Sequence, residues 1–271
     1  MSRPVGSGER ATLLATLEAN FAQYYLTYSR LPGGATHSEG GLRWFSSGIP
    51  EPWFNGVLGG RDGAAPAPPA IAPIRDHFAH LQLPFLWHRP PDSTVRAEAP
   101  LLAQGFRLFA DEPGMALDLA MPPRGDSFPP GLTIERVEGP TALEEWTAVW
   151  MDGVPEPTRQ RCRAAYHALG PAAGDYYLGR FAGVPVATVK LFYAAGVVSV
   201  QHVLTLPPAR RRGIGGALVG HALRQARERG YRSAVLTSTP AGSGTYARLG
   251  FREVCRCKSF LWTPDTEVTG D

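Results

Sequence analysis

Cysteine is scarce in this chain of 271 residues, which has only Cys162, Cys255 and Cys257. An odd count without a C-x-x-C pair argues against a disulfide framework and against a structural zinc site, so no metal is expected. Long apolar runs are also lacking. None approaches the roughly 20 residues needed to cross a bilayer, and the first ten residues contain no apolar signal core. The expectation is a cytoplasmic chain with no membrane partner. Neither sign of charge dominates: 27 basic against 24 acidic residues leave a formal net charge of +3, too little to draw nucleic acid by bulk electrostatics. Proline (26) and glycine (31) are abundant but show no three-residue period, so they mark loops.

The informative stretch runs from Val203 to Phe251. A β-branched, apolar run from Val197 to Leu206 stops at Pro207 and Pro208, which cannot donate to a ladder. A basic, glycine-rich turn, Arg210 to Gly216, then opens into a helix with Leu218, Val219, Ala222, Leu223 and Ala226 on one face. The first turn of such a helix offers unpaired backbone N–H groups and the positive end of the dipole. Flanked by Arg210, Arg211 and Arg212, it suits a pyrophosphate. Glycines at 213, 215 and 216 let an anion approach the backbone with no Cβ in the way. Two common phosphate loops do not fit the spacing. No Lys-Ser or Lys-Thr follows the glycines, which excludes a P-loop, and Leu218 stands where a dinucleotide fingerprint needs its third glycine.

The remaining pattern, Arg210-x-x-Gly213-x-Gly215 followed by a strand, a Ser-Thr-Pro break and Tyr246-x-x-Leu249-Gly250-Phe251, resembles the GCN5-related N-acetyltransferase (GNAT) superfamily over about residues 130 to 262. The resemblance implies an α/β (α+β) fold with a mixed, mostly antiparallel sheet flanked by helices, and acetyl-coenzyme A as co-substrate. It assigns the pyrophosphate to Arg210, Arg211, Arg212, Gly213, Ile214, Gly215 and Gly216, and the pantetheine arm to the backbone of Val203, Leu204 and Thr205. Ser238, at the Ser-Thr-Pro break, is expected to contact the same cofactor.

Tyr246 is the candidate acid. A thiol has a pKa near 8.5 and a phenol near 10, so full proton transfer is uphill by roughly 2 kcal/mol, and a hydrogen bond to the departing thiolate is the more economical role. His202, just before the pantetheine residues, is the candidate base. Asp152 and Glu156 lie in the turn where this superfamily contacts its acceptor, expected to be a small-molecule or peptide amine. A homodimer is compatible with the family. The competing reading is an acyl-coenzyme A-binding sensor or scaffold without turnover.

The first half echoes the second. Residues 10 to 29 read as a helix, 42 to 58 as extended and aromatic, 59 to 69 as loop, 74 to 81 as helix and 84 to 87 as a strand. Leu102-x-x-Gly105-Phe106-Arg107 parallels Tyr246-x-x-x-Gly250-Phe251-Arg252. The resemblance therefore suggests a tandem: a degenerate copy at 1–121, a breaker-rich linker at 122–130 and a catalytic copy at 131–271. The first copy is expected not to bind the cofactor, because Arg61 to Pro69 places prolines where N–H donors are needed. An unrelated N-terminal domain is the alternative. In the second half, strands at 132–136, 176–181 and 185–193 and helices at 141–151 and 158–169 complete the pattern.

Overall fold

The computed structural model describes residues 7–59, 68–89, 91, 98–123, 128–170 and 173–264. No described helix is long and apolar enough to cross a membrane. The chain divides into two units, each drawing on two separate stretches: residues 1–24 with 113–255, and residues 25–112 with 256–271.

In order, the elements are α1 (Ser7–Leu26), β1 (Ala35–Glu39), β2 (Leu42–Ser46), β3 (Gly56–Leu58), α2 (Pro68–His80), β4 (Phe85–His88), α3 (Ala99–Leu102) and β5 (Arg107–Asp118). There follow β6 (Leu132–Arg136), α4 (Gly139–Trp150), α5 (Glu156–Leu169), β7 (Asp175–Phe181), β8 (Val184–Ala194) and β9 (Val197–Thr205). The chain closes with α6 (Ile214–Glu228), β10 (Ser233–Thr237), α7 (Ser243–Leu249) and β11 (Arg252–Trp262). Most pairings are antiparallel; the parallel ones are β3 with β4 and β9 with β10, each joined through a helix.

In the larger unit the strands run β6-β7-β8-β9-β10, followed by the second half of β5. Side chains alternate along β8, as the strand period of two requires. Val189 and Leu191 face the apolar side of α6 in a core with Leu218, Ala222 and Leu223. Lys190 lies on the opposite face, with the aromatic side chains of α1, α4 and α5. In the smaller unit, β1-β2-β3-β4 is closed by the last residues of β11, from Ser259 opposite His88 to Trp262 opposite Phe85. Its core is aromatic, built on Phe78, Phe85, Trp87, Phe106 and Phe260.

This partition differs from the expected 1–121, 122–130 and 131–271. The helix expected at 10 to 29 ends at Leu26 and packs with the larger unit, where Leu17, Asn20 and Tyr24 are buried. Asn20 Nδ2 donates to the carbonyls of Ala194 (3.1 Å) and Val197 (3.3 Å) and so holds the β8–β9 hairpin. β5 gives its second half to the larger unit, with Gly114 to Asp118 opposite Thr237 to Ser233, and β11 gives its last residues to the smaller one. Compact units need not be contiguous in sequence. Residues 60–67 and 124–127 lie outside the described residues, so the reading of the proline-rich loop and most of the linker's interior cannot be followed there.

The echo between the halves has a clear geometry. Gly250 (φ 105°) caps α7 and Gly105 (φ 84°) closes the turn that follows α3, each in the left-handed conformation that glycine adopts without a Cβ penalty. Each is followed by a phenylalanine whose N–H closes a six-residue turn, Phe106 to the carbonyl of Leu101 and Phe251 to that of Tyr246. Of Leu102 and its neighbours, the residue at the place of Tyr246 is thus the buried Leu101, whereas Leu102 is exposed.

Replacing Asn20 with alanine removes both hairpin bonds and leaves two carbonyls short of a partner. The expected result is a loss of about 1–3 kcal/mol of stability, read by denaturant unfolding of the full chain.

Candidate active site

β9 and β10 share only two register pairs, Val198 with Ala234 and Ser199 with Val235. Beyond Ser199 the two strands have no further register pairs. On its other side β9 stays paired to β8, with a bulge: Gln201 lies opposite Lys190 and Leu204 opposite Thr188, so three steps on β9 match two on β8. The extra residue is accommodated at His202, whose φ of 52° is unusual for a side chain with a Cβ. The Thr188 hydroxyl donates to the His202 carbonyl at 3.0 Å and fixes the distortion. The run Gln201 to Thr205 therefore presents a partly exposed strand edge that β10 does not pair.

At the end of that edge the chain turns through Pro207–Ala209 into the basic loop. Arg210 Nε donates to the Thr205 carbonyl at 2.8 Å, tying the loop back to the strand. Arg211 has φ 61°, and Gly213, the residue capping α6, has φ 77°. Arg212 lies over the ring of Phe181 at 5.2 Å. Ile214 is buried, whereas Gly215 and Gly216 stay partly exposed in the first turn, where N–H groups have no carbonyl four residues back. A Cβ on Gly215 would stand 3.0 Å from the Thr205 hydroxyl, so strand edge and helix terminus meet here.

Tyr246 packs in the main core with its ring 5.9 Å from that of Phe251. A Cβ on Gly242 would come within 3.0 Å of the Tyr246 ring. Ser238 is buried; its hydroxyl donates to the Thr239 carbonyl (2.9 Å) and lies 3.2 Å from the Ser243 hydroxyl. It thus supports the start of α7. Asp152 is exposed in the α4–α5 turn. Glu156 opens α5 and is ion-paired to Arg159, which holds its carboxyl below the usual range.

The inner face of the bulge holds groups that the sequence reading did not identify. His202 Nε2 lies 2.8 Å from the Tyr24 hydroxyl and 3.1 Å from that of Tyr166. Trp150 and Trp146 complete its surroundings, at ring distances of 4.4 and 5.8 Å. Beside this cluster is Lys190, 0% exposed. Its Nζ lies over the rings of Tyr176 (5.1 Å), Tyr24 (5.2 Å) and Tyr166 (5.9 Å) and has no hydrogen-bond partner among the described residues. Burial lowers the Lys190 pKa to about 7. The three ring faces favour the ammonium and oppose that shift, but loss of water is the larger effect. Burial, reinforced by Lys190, also pushes His202 well below its ordinary value, so the imidazole is neutral at neutral pH. The one sequence signal for this cluster was a lysine inside the apolar run of β8.

Residues 141–251 match the family model described as Acetyltransferase (GNAT) family. No curated protein sequence matches the chain. Among solved structures, a GCN5-related N-acetyltransferase from Kribbella flavida superposes with a TM-score of 0.69 at 23% identity, covering 90% of this chain and 93% of that one. A functionally unknown conserved protein from Staphylococcus epidermidis gives 0.67 at 12% identity, covering 85% and 94%. A tandem GNAT protein from the clavulanic acid biosynthesis pathway gives 0.59 at 14%, covering 96% and 97%.

The caged amine has a measurable effect on stability. Because the folded Lys190 pKa lies below its ordinary value of 10.5, the unfolded chain binds the extra proton between about pH 7 and 10.5. Stability therefore rises with pH across that window, and the penalty is complete below it. Lys190→Met should raise stability at and below pH 7 by on the order of 3 kcal/mol, with the gain fading as pH approaches 10.5, measured by urea unfolding at a series of pH values.

Proposed function

We propose that this chain, whose residues 141–251 match the GNAT acetyltransferase family model, moves an acetyl group from acetyl-coenzyme A to a primary amine of a small molecule or peptide. The observation that carries the reading is the strand edge from Gln201 to Thr205, left unpaired by β10 and ending at the glycine-capped terminus of α6. The backbone of Val203, Leu204 and Thr205 is suited to pair with the pantetheine amides as an added strand. The N–H groups of Ile214, Gly215 and Gly216, with Arg210 to Gly213 before them, suit the pyrophosphate.

The remaining residues divide the proton handling. His202, neutral on the inner face of the bulge, would take the proton that the acceptor amine loses as its nitrogen attacks the thioester carbonyl. Its lowered basicity suits an amine that arrives neutral or is only weakly basic. Tyr246 would donate a hydrogen bond to the departing thiolate. Asp152 and Glu156 at the mouth of the α4–α5 turn would attract a cationic acceptor, which would give its ammonium proton to solvent there before the neutral nitrogen attacks. A cytoplasmic setting fits a donor of this kind, and a homodimer would leave the reading unchanged. No carboxylate is bonded to His202 among the described residues, and this favours the second reading, an acyl-coenzyme A-binding module without turnover. Release of free thiol in the presence of an amine panel separates the two.

The tandem reading belongs to the same proposal. In the smaller unit every residue of β3 is paired with β4, from Gly56 with Leu86 to Leu58 with His88, and the Gly59 N–H continues onto the His88 carbonyl at 3.1 Å. That pair stays closed where β9 and β10 part. Calorimetry should therefore show one acetyl-coenzyme A per chain, and Gly215→Glu should abolish that binding while circular dichroism shows the fold intact. Two sites per chain, or unchanged affinity in the variant, would remove the basis of the reading.

Tyr246→Phe keeps the ring packing against Phe251 and deletes the donor. Turnover should fall by roughly 100-fold to 10,000-fold with affinity for acetyl-coenzyme A little changed. Thiol release within about twofold of the parent would retire the phenol as the donor.

A further inference from the structure

The chain holds only two lysines, Lys190 and Lys258, among 27 basic residues. Where a positive charge is needed at the surface, this sequence uses arginine almost throughout. Lys258 has a carboxylate partner, Glu98, at 2.7 Å. Lys190 has none among the described residues, although it is entirely buried. A buried, unpaired ammonium destabilises the fold, and an apolar side chain of similar volume would fill the same space.

The groups facing Lys190 come from every element packed against it. α1 brings Tyr24, α5 brings Tyr166, β7 brings Tyr176, and the adjoining β9 brings His202. α4 adds only the indoles of Trp146 and Trp150, both against the imidazole. Two of the tyrosines do double duty. Tyr24 and Tyr166 place their hydroxyls on His202 Nε2 and their ring faces toward the Lys190 amine. The two basic groups thus share one aromatic cluster in which neither is bonded to a carboxylate among the described residues, and a proton on either raises the energy of a proton on the other.

We propose that Lys190 is a positioning residue that sets the charge state of His202: the tyrosine cage holds amine and imidazole close enough that the cluster carries at most one proton between them. When Lys190 holds it, His202 stays neutral but cannot readily accept another. When Lys190 is neutral, His202 is free to take the proton that the acceptor amine releases, and the cluster ends with the same single charge. The site is therefore switched on as pH rises through the range in which Lys190 loses its proton. This inference rests on the proposed role of His202, but its test does not depend on turnover.

The test is an NMR titration of the full chain carrying Lys258→Arg, so that a single lysine remains, with ¹³C at the lysine Cε and the histidine Cε1. The His202 signal is assigned by its loss in His202→Gln. Lys190 should titrate near pH 7, and in Lys190→Met the His202 midpoint should move upward, with Lys190→Arg leaving it low. A lysine that stays charged beyond pH 10, or a His202 midpoint unmoved in Lys190→Met, overturns the proposal. Should the substituted chains fail to fold, the parent alone decides: the His202 shift must show a second inflection at the Lys190 midpoint, and a single one rejects the coupling. Acetyl-coenzyme A binding, measured on the same samples, reports separately on the acetyltransferase reading. Binding retained with uncoupled titrations sinks only the Lys190 assignment, and binding lost in the parent sinks the function.

Discussion

The site depends on the misfit of β9 with its neighbours. A strand in the middle of a sheet normally spends both rows of backbone groups on the ladder. β9 gives one row to β8 on both sides of the bulge and the other to β10 for two residues only. The unpaired row is tolerable because it reaches the surface at Gln201 to Thr205 and could be completed by a ligand with amides of its own. The bulge at His202 rotates the strand where that edge begins, and the Thr188 bond holds the rotation. The open edge and the inward-turned histidine thus meet at one irregularity in β9.

The same irregularity explains the second polar cluster. Inserting a residue into β9 turns the His202 ring toward the face covered by α1, α4 and α5, where tyrosines and tryptophans form a dry pocket. On that face Lys190 follows from the alternation of β8, whose odd-numbered neighbours Val189 and Leu191 serve the α6 core. Neither group is bonded to a carboxylate among the described residues; burial sets the direction for Lys190, and burial with Lys190 sets it for His202.

What could be read from the sequence was what lies close together along it. The R-x-x-G-x-G turn, the helix after it and the Tyr246-to-Phe251 element are contiguous, and their geometry follows from glycine, proline and dipole physics at short range. The mostly antiparallel sheet and the GNAT-like fold followed from the same stretch. The long-range strand pairing was not legible, because its partners lie more than 100 residues apart: Gly114 to Asp118 pair with β10, and the end of β11 pairs with β4. Nor was the place of Tyr24, since an amphipathic helix announces its apolar face but not the sheet that receives it. The contacts of Ser238 were also not legible: its hydroxyl bonds the Thr239 carbonyl and lies beside the Ser243 hydroxyl, an arrangement set by the turn into α7.

The two parallel strand pairs give the sharpest internal contrast. β3–α2–β4 and β9–α6–β10 have the same order and direction, and each leads through a short helix and a left-handed glycine into a long strand. They differ in the register they keep. β3 is three residues long and wholly zipped to β4, whereas β9 outruns β10 by its entire second half. Leu101 replaces Tyr246 at the matching turn, so the smaller unit lacks the phenol as well as the open edge. Opening such an edge leaves backbone donors and acceptors unmatched, and the β3–β4 pair carries no such cost. Within the shared strand–helix–strand–helix–strand stretch, the two halves therefore differ in the backbone bonds left open between the parallel strands and in the hydroxyl of Tyr246.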